Sequence, residues 1–215
     1  MDTKLIYSSE PTDKEKFTVT NNRLYTIFAG LYDFLVKVLP VWKNWLNQAL
    51  PHIEGPKVLE ISFGTGYLLT QYADKFDTYG IDYNEKFVTM ATEKLQQKGF
   101  DAILQKADIE DLPFDDETFD CIVNTMAFTG YPDGQKAMAE IHRVLKPGGR
   151  FVLIDINFPA DHNWLGMKLT RFWAALGDII RDMNQLFDQF DFTYTDNEIG
   201  GFGSVHLYVA QKERA

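Results

Sequence analysis

Val58-Leu59-Glu60-Ile61 runs directly into Ser62-Phe63-Gly64-Thr65-Gly66, and this stretch decides the fold of the chain. The first four residues, three of them apolar, are typical of a short buried strand. Gly64 and Gly66 then allow the backbone to turn tightly and to approach a ligand without a Cβ in the way. The stretch therefore predicts a strand, a glycine-bearing turn and a following helix, with a ligand beside the turn.

Strands and helices alternate after this stretch. Predicted strands cover Lys57–Ile61, Thr78–Asp82, Ala102–Ala107, Phe119–Asn124 and Arg150–Ile156, with closing strands at Phe192–Thr195 and Ser204–Gln211. Predicted helices cover Tyr67–Lys75, Gly134–Leu145 and the aromatic-rich region Trp164–Phe190, and the second of these is stopped at Pro147. A further helix is predicted between its cap at Asn84 and its end at Gly99. Because parallel strands need crossover helices, this alternation predicts an α/β fold with a doubly wound parallel sheet.

The N-terminal residues stand outside the alternation. Residues 1–20 are polar and are expected to be loose, whereas apolar residues recur at helical spacing over 24–38 and predict a helix. Pro40 interrupts that pattern, and Val41–Leu50 predicts a second helix. We expect a single domain over 1–215, divided into an N-terminal helical segment (1–50), a cofactor-binding core (57–156) and a helical region with closing strands (157–215).

Composition excludes some classes of partner. The formal net charge is −10, which repels phosphate backbones, and no run of Lys and Arg offsets it, so no nucleic-acid partner is expected. Cys121 is the single cysteine and is expected to be a small buried residue rather than a nucleophile. We identify neither a signal peptide nor an apolar stretch long enough for a transmembrane segment, and we expect a cytoplasmic protein.

Polar residues follow the predicted strands where a ligand is expected. In an open parallel sheet, ligands bind beyond the carboxyl ends of the strands, where the strand order reverses. The second strand ends at Asp82, about 20 residues after Glu60, and a carboxylate there can accept both hydroxyls of a ribose. Asp108-Ile109 follows the third strand and suits the edge and face of an adenine, and Asn124 ends the fourth.

Two nucleotide ligands compete for this pattern. A dinucleotide fingerprint, Gly-x-Gly-x-x-Gly, would place glycines at Ser62, Gly64 and Tyr67, and a tyrosine at the third position prevents tight packing of the helix on the strand. The lysine of a phosphate-binding loop is also missing. Adenosylmethionine needs the close backbone approach but carries no phosphate, and Glu60 suits its ammonium and sulfonium charges. An NAD-dependent oxidoreductase and a non-catalytic adenosylmethionine-binding protein remain alternatives.

The motifs as a set resemble those of class I S-adenosylmethionine-dependent methyltransferases. Val58–Gly66 resembles the first motif, with Ser62 where a glycine is usual, and Asp82 resembles the ribose-binding acidic residue. The segments that match the adenine-side motif and the approach to the fifth strand are Asp108–Phe114, Phe119-Asp120 and Arg143–Gly149. Phe28–Asp33 and Trp42-Lys43 are similar to the ubiquinone and menaquinone biosynthesis group, while bacterial phospholipid N-methyltransferases share much of the pattern.

This resemblance implies a Rossmann-like seven-stranded sheet whose last strand is antiparallel, with an N-terminal helical cap. It implies S-adenosyl-L-methionine as cofactor and a small-molecule acceptor, such as a quinone-type or lipid-like compound. The cofactor-binding residues it implies are Glu60, Ser62, Gly64, Thr65, Gly66, Asp82, Tyr83, Asp108, Ile109 and Asn124.

The sequence assigns no catalytic residue. Methyl transfer from a sulfonium needs orientation above all, and only a phenol or alcohol acceptor would benefit from a general base. His162 is a candidate base near the site, whereas His142 and His206 are expected to be structural. His52 is expected in the polar linker before the first strand, and no metal is expected. The Asn-Pro-Pro-aromatic loop of many DNA and protein methyltransferases is absent after strand four, which favours a small acceptor. The residues expected to line its pocket are Tyr32, Met126, Tyr131 and Trp164.

Overall fold

A computed structural model describes residues 7–20, 22 and 40–214, and its strands form one seven-stranded sheet. The strands are β1 (Lys57–Ile61), β2 (Asp77–Asp82), β3 (Ile103–Lys106), β4 (Phe119–Thr125), β5 (Leu145–Ile156), β6 (Phe192–Gly200) and β7 (Val205–Lys212). Their order in the sheet is β3-β2-β1-β4-β5-β7-β6. The first five strands pair in parallel, and β7 runs antiparallel to both β5 and β6. The seven-stranded Rossmann-like sheet with an antiparallel last strand is confirmed.

Helices connect the parallel strands and cover the sheet. The helices are α1 (Pro40–Asn47), α2 (Leu69–Tyr72), α3 (Glu85–Lys98), α4 (Gly134–Val144), α5 (Trp164–Leu176) and α6 (Met183–Gln189). Residues 14–20 are also helical, so the prediction of a loose N-terminus fails for that part of the chain. The apolar pattern over 24–38 lies outside the described residues.

The central strands are buried on both faces, which explains why they are almost continuously apolar. Successive side chains of a strand point to opposite faces, so Leu59 and Ile61 join the core on one side of the sheet. Val58 and Cys121 join the core on the other side, and Cys121 is fully buried as predicted. Burial raises the pKa of its thiol to about 12, so it is not a ready nucleophile.

The strand order reverses between β1 and β4, and this places the site. β1 leads outward to β2 and β3 on one side, while β4 leads to β5 on the other. Ile61 and Asn124 are register partners at the carboxyl ends of these two strands. The crevice beyond them is where an open α/β sheet binds its ligand.

Three predicted helical segments have different bounds in the structure. The predicted helical region Trp164–Phe190 is broken at Gly177, whose φ of +116° ends α5 before α6 begins. The helix predicted over Gly134–Leu145 ends at Val144, because Leu145 already pairs with Phe119 of β4. Pro147-Gly148-Gly149 therefore lies within β5, where the pairing register with β4 shifts. The short Tyr67–Lys75 helix is instead α2 followed by a 3₁₀ turn at Ala73–Lys75.

The cap residues of α3 were predicted correctly. Asn84 accepts a hydrogen bond from the Lys86 amide, and Gly99 closes the helix in a left-handed conformation at φ +70°. Gly66, in the turn after β1, has a similar φ of +76°, but a Cβ there would lie 2.7 Å from the Cβ of Ala91 on α3. The turn after β1 and the face of α3 thus pack together without room for a methyl group.

This comparison predicts different costs for two glycine substitutions. Gly66→Ala combines a left-handed backbone with a steric clash and is expected to lower the free energy of unfolding by roughly 2–4 kcal/mol. Gly99→Ala has the same backbone cost but meets no atom within 4 Å, so about 1–2 kcal/mol is expected. Urea unfolding without ligand measures both. Equal losses of unfolding free energy in the two variants would show that contact with Ala91 does not restrict the size of the residue at position 66.

Candidate cofactor and acceptor site

The turn after β1 is held in left-handed backbone conformations. Ser62 and Gly64 both have φ near +55°, and the Ser62 amide donates to the carbonyl of Ile81 on β2 at 2.7 Å. Thr65 is buried, and its carbonyl accepts from Lys94 Nζ of α3 at 2.9 Å. The turn is therefore attached to β2 on one side and to α3 on the other.

Asp82, at the end of β2, fixes this turn. Its Oδ2 accepts from the Gly64 amide at 2.9 Å, and its Oδ1 accepts from the Asn84 amide at 2.8 Å. The side chain is buried, and desolvation raises the pKa of its carboxyl to about 6 although both hydrogen bonds act against that rise. Each carboxylate oxygen can accept a further hydrogen bond, so a ribose hydroxyl can still bind there.

Glu60 is the most deeply buried carboxyl of the site, with 1% of its surface exposed. The Tyr72 hydroxyl donates to its Oε2 at 2.8 Å. Burial raises the pKa of Glu60 to about 8, and the nearby charge of Asp82 acts in the same direction. Without a cation nearby, the side chain is mostly protonated at neutral pH.

Residues that follow β2 and β3 also line the cavity. Tyr83 is 38% exposed, Ile109 is buried, and Asp108 is exposed while its Oδ1 accepts from the Glu110 amide at 2.9 Å. All three line the same cavity as Glu60 and Asp82. A flat aromatic ligand would meet the apolar surface of Ile109 and the carboxylate of Asp108.

A buried hydrogen-bond network explains why a serine occupies position 62. Asn124 Nδ2 donates to the Ile61 carbonyl at 3.0 Å and to the Tyr131 hydroxyl at 2.6 Å. The Tyr131 hydroxyl lies 2.7 Å from Ser62 Oγ and is left to donate its proton there. Burial raises the pKa of Tyr131 above its ordinary value, so it stays protonated. The serine therefore fixes a tyrosine that borders the cavity.

The cavity lining also includes aromatic side chains and two further carboxyl groups. Met126, Trp42 and Trp173 line it, and the two tryptophan rings lie 6.5 Å apart between centroids. Asp155 and Asp178 line it as well. The whole cavity measures about 430 Å³, which is in the range of sites for drug-sized ligands.

Thr129 joins Asp155 and Asp178. Asp155 accepts from the Thr129 amide and hydroxyl, both at 3.0 Å, and from the Ile156 amide at 2.7 Å. Asp178 Oδ1 lies 3.4 Å from the same hydroxyl. Since that hydroxyl has a single proton and donates it to Asp155, Asp178 fits best when protonated. Burial and the charge of Asp155 raise the pKa of Asp178 to about 7.

Most of the residues expected from the sequence line this cavity. Of the expected cofactor residues, it is lined by Glu60, Ser62, Gly64, Thr65, Asp82, Tyr83, Asp108 and Ile109. Gly66 packs behind the turn against Ala91, and Asn124 is fully buried behind Tyr131.

The residues expected in the acceptor pocket fall in different places. Met126 and Tyr131 line the cavity, whereas Trp164 is 66% exposed at the start of α5 and is not among the lining residues. Tyr32 lies outside the described residues. None of the four histidines, all of them described, borders the cavity: His162 is exposed and His206 is buried against Asp196, with Nδ1 2.7 Å from Oδ1. Among the described residues, no cluster suited to a metal ion occurs.

Sequence reasoning missed Thr129, Asp178, Trp42 and Trp173. Asp178 was hidden because the apolar pattern of Trp164–Phe190 continues across the break at Gly177. The Ile179 amide donates to the Thr129 carbonyl at 2.7 Å, and this contact turns Asp178 towards the cavity. Gly177 signals the end of a helix, but no local pattern indicates that Asp178 borders the cavity.

The raised pKa of Glu60 predicts a pH-dependent stability. The contribution of Glu60 to the free energy of unfolding is fully present below about pH 4.5 and is lost as the pH rises through about 8. The reason is that the folded state favours the protonated acid. Glu60→Gln keeps an acceptor for Tyr72 and cannot ionise. Between about pH 5 and 9, the free energy of unfolding of the wild type is expected to fall by roughly 2–4 kcal/mol more than that of the variant.

Urea titrations at several pH values test this, with Glu93→Gln at an exposed position of α3 as the charge-matched control. The control is expected to follow the wild type. Parallel curves for the wild type and Glu60→Gln would contradict the buried, protonated state of Glu60.

Known proteins resemble this chain in sequence and in fold. A family model described as a methyltransferase domain matches residues 59–153. A ubiquinone/menaquinone biosynthesis C-methyltransferase of Teredinibacter turnerae is 33% identical over 62% of this chain, and the chain spans only 58% of that relative's length. A phosphatidylethanolamine N-methyltransferase of Cereibacter sphaeroides is 30% identical over 69% of this chain and 75% of its own length.

A solved structure has a similar fold. The structure of a possible histamine N-methyltransferase from Thermotoga maritima superposes with a TM-score of 0.73 over 89% of this chain and 99% of its own, at 16% identity. At that identity the likeness concerns the fold. Together with the sequence relatives, it identifies the family: the chain belongs to the class I S-adenosylmethionine-dependent methyltransferases.

Proposed function

We propose that this protein transfers a methyl group from S-adenosylmethionine to a small, largely apolar acceptor. The observation that carries the proposal is one cavity whose lining combines a carboxyl-bearing glycine turn with a group of aromatic and apolar side chains. The glycine-bearing turn, Glu60 and Asp82 form its polar part. Met126, Trp42 and Trp173 form its aromatic part. One reactant can bind at each part, in contact with the other.

The donor set of the polar part suits a cationic nucleoside ligand. The described residues that line the cavity include Glu60, Asp82, Asp108, Asp155 and Asp178 but no Lys or Arg. Uncompensated carboxyl groups repel a pyrophosphate and attract an ammonium or a sulfonium. We propose that Glu60 and the turn hold the amino-acid part, Asp82 the ribose hydroxyls, and Asp108, Ile109 and Tyr83 the adenine. When bound, the cofactor supplies an electrophilic methyl group.

The chain's own residues orient the acceptor, exclude water and receive a proton. Tyr131 lines the cavity and is held in place by Ser62 and Asn124, so it presents a fixed surface to the reactants. Trp42 and Trp173 remove water from the acceptor, which leaves orientation as the main contribution to the rate. For a phenolic or enolic acceptor, Asp178 is the proposed general base, because its pKa near 7 matches the working pH.

A quinone-type acceptor is the first candidate for the methylated compound. The T. turnerae relative carries the name of a quinone-biosynthesis C-methyltransferase, and an aromatic pocket with a titratable carboxyl suits a hydroquinone ring. A phospholipid amine is the second, since the C. sphaeroides relative is a phosphatidylethanolamine N-methyltransferase. No helix in the described residues is long and apolar enough to cross a membrane. We further propose a single cytoplasmic domain that does not bind nucleic acid.

Cofactor binding separates this proposal from an oxidoreductase. S-adenosylmethionine and its demethylated product are expected to bind with micromolar affinity, whereas NAD is expected not to bind. Binding of the cation should release a proton from Glu60, so affinity should rise between about pH 6 and 8. Titration calorimetry in buffers of different ionisation enthalpy measures both quantities. Tighter binding of NAD would overturn the assignment.

Acceptor identity is testable by product mass. A demethylated quinol and phosphatidylethanolamine vesicles are each incubated with cofactor labelled in the methyl group, and the products are analysed by mass spectrometry. Label in the quinol ring supports the first candidate, and label in the lipid headgroup supports the second. Cofactor binding without labelled product in either mixture would favour a non-catalytic cofactor-binding protein.

Asp178→Asn is expected to lower kcat for a phenolic acceptor by about 10²-fold or more, as loss of a general base does. The wild-type kcat/KM should rise with pH through about 7, because the base acts only when deprotonated, and the variant should lose this limb. Asp155 and Thr129 face Asp178 in the described structure and are left unchanged. Asp188→Asn, exposed on α6, is the matched control. A variant that keeps the pH-dependent limb would exclude Asp178 as the base.

A further inference from the structure

One helix of the protein presents apolar side chains to solvent. On α5, Trp164 is 66% exposed, Phe172 55%, Leu176 64% and Leu165 38%. Trp164, Lys168, Phe172 and Leu176 recur at every fourth residue and therefore form one line along the helix. A contiguous exposed patch of this kind marks an interaction surface more often than chance.

The turn Gly201–Gly203 extends the patch beyond the helix. Phe202 is 64% exposed, and its backbone is left-handed at φ +56°. Its carbonyl accepts from Asn163 Nδ2 at 2.8 Å, at the amino end of α5. A strained residue that presents an aromatic ring to solvent is held there by its surroundings. The residues of this aromatic face are Trp164, Leu165, Phe172, Leu176 and Phe202.

Positive charge accompanies the aromatic face. Lys168 and Arg171 are exposed, and α5 contains no acidic residue, in a chain of net charge −10. Lys168 Nζ lies 5.1 Å from the centroid of the Trp164 ring. The carboxylates of Asp161 and Glu198, near the amino end of the helix, accept hydrogen bonds from the amides of Asn163 and Ala160. These two carboxylates keep their negative charge, so the positive charge of this region lies along α5 itself, at Lys168 and Arg171.

We propose that the aromatic face docks on an anionic lipid surface. A tryptophan, a phenylalanine and a leucine on a helix face with interleaved Lys and Arg match the pattern of helices that lie in the membrane interface. Tryptophan prefers the headgroup level, and each basic residue adds attraction to anionic lipid. Lipid is favoured over a second copy of the chain because the cations lie among the aromatic residues and not around them. The proposal does not rest on methyl transfer.

Vesicle binding tests the docking surface directly. The full chain is expected to co-float with vesicles of phosphatidylcholine that contain about 30% phosphatidylglycerol, and to bind pure phosphatidylcholine at least tenfold more weakly. Phe172→Gln with Leu176→Gln, and separately Lys168→Glu with Arg171→Glu, are each expected to weaken binding to the anionic vesicles by about tenfold or more. Thermal unfolding establishes that both variants fold.

Matched controls change the same chemistry elsewhere. Val19→Gln with Ile103→Gln alters side chains that are 57% and 55% exposed, and Lys75→Glu with Lys106→Glu reverses exposed charges to the same extent. Both controls are expected to bind within twofold of the wild type. No vesicle binding by the wild type, or equal losses in the controls, would overturn the proposal. A lipid-free dimer that Phe172→Gln with Leu176→Gln converts to monomer would instead assign the face to self-association.

Discussion

A single buried carboxylate, Asp82, holds the ligand end of the molecule together. It accepts hydrogen bonds from the turn after β1, through the Gly64 amide, and from the cap of α3, through the Asn84 amide. Loss of the side chain would leave two N–H groups without their partner, and each costs about 1–3 kcal/mol when buried. The position of Asp82 at a strand end suggests only a ligand contact, but the structure gives it a role in stability too. Any effect of Asp82 on cofactor affinity therefore includes the geometry of the turn.

The fold was predictable because its signals are local. Buried strands, the cap at Asn84 and the left-handed stop at Gly99 each depend on a few neighbouring residues. The crossover rule then limits the topology to a doubly wound sheet. The polar residues at the strand ends were found for the same reason, since a parallel sheet brings the ends of β1, β2 and β4 to one edge.

Features that depend on distant residues were not predictable. Ser62 looked like a departure from a glycine pattern, and its partner is the hydroxyl of Tyr131, far along the chain. Asp178 is placed by the hydrogen bond from Ile179 to Thr129, which no pattern within α5 or α6 encodes. Trp164 was expected in the pocket because an aromatic residue near a site has the same sequence signature whether it points inward or outward. Tertiary contact decides each of these cases.

The two proposals meet in α5. Neighbouring residues of this helix belong to different surfaces, since Trp173 borders the cavity and Phe172 is exposed on the aromatic face, although their rings lie 5.7 Å apart between centroids. Transfer of an apolar acceptor from a bilayer into water costs about 0.8 kcal/mol of free energy for every methylene group that becomes exposed. A protein docked by the outer face of α5 would place the aromatic part of its cavity one helix thickness from the lipid, so most of that cost would be avoided. This arrangement would favour acceptors with long apolar tails over soluble amines. One short helix would then both dock on the lipid surface and line the cavity that encloses the acceptor.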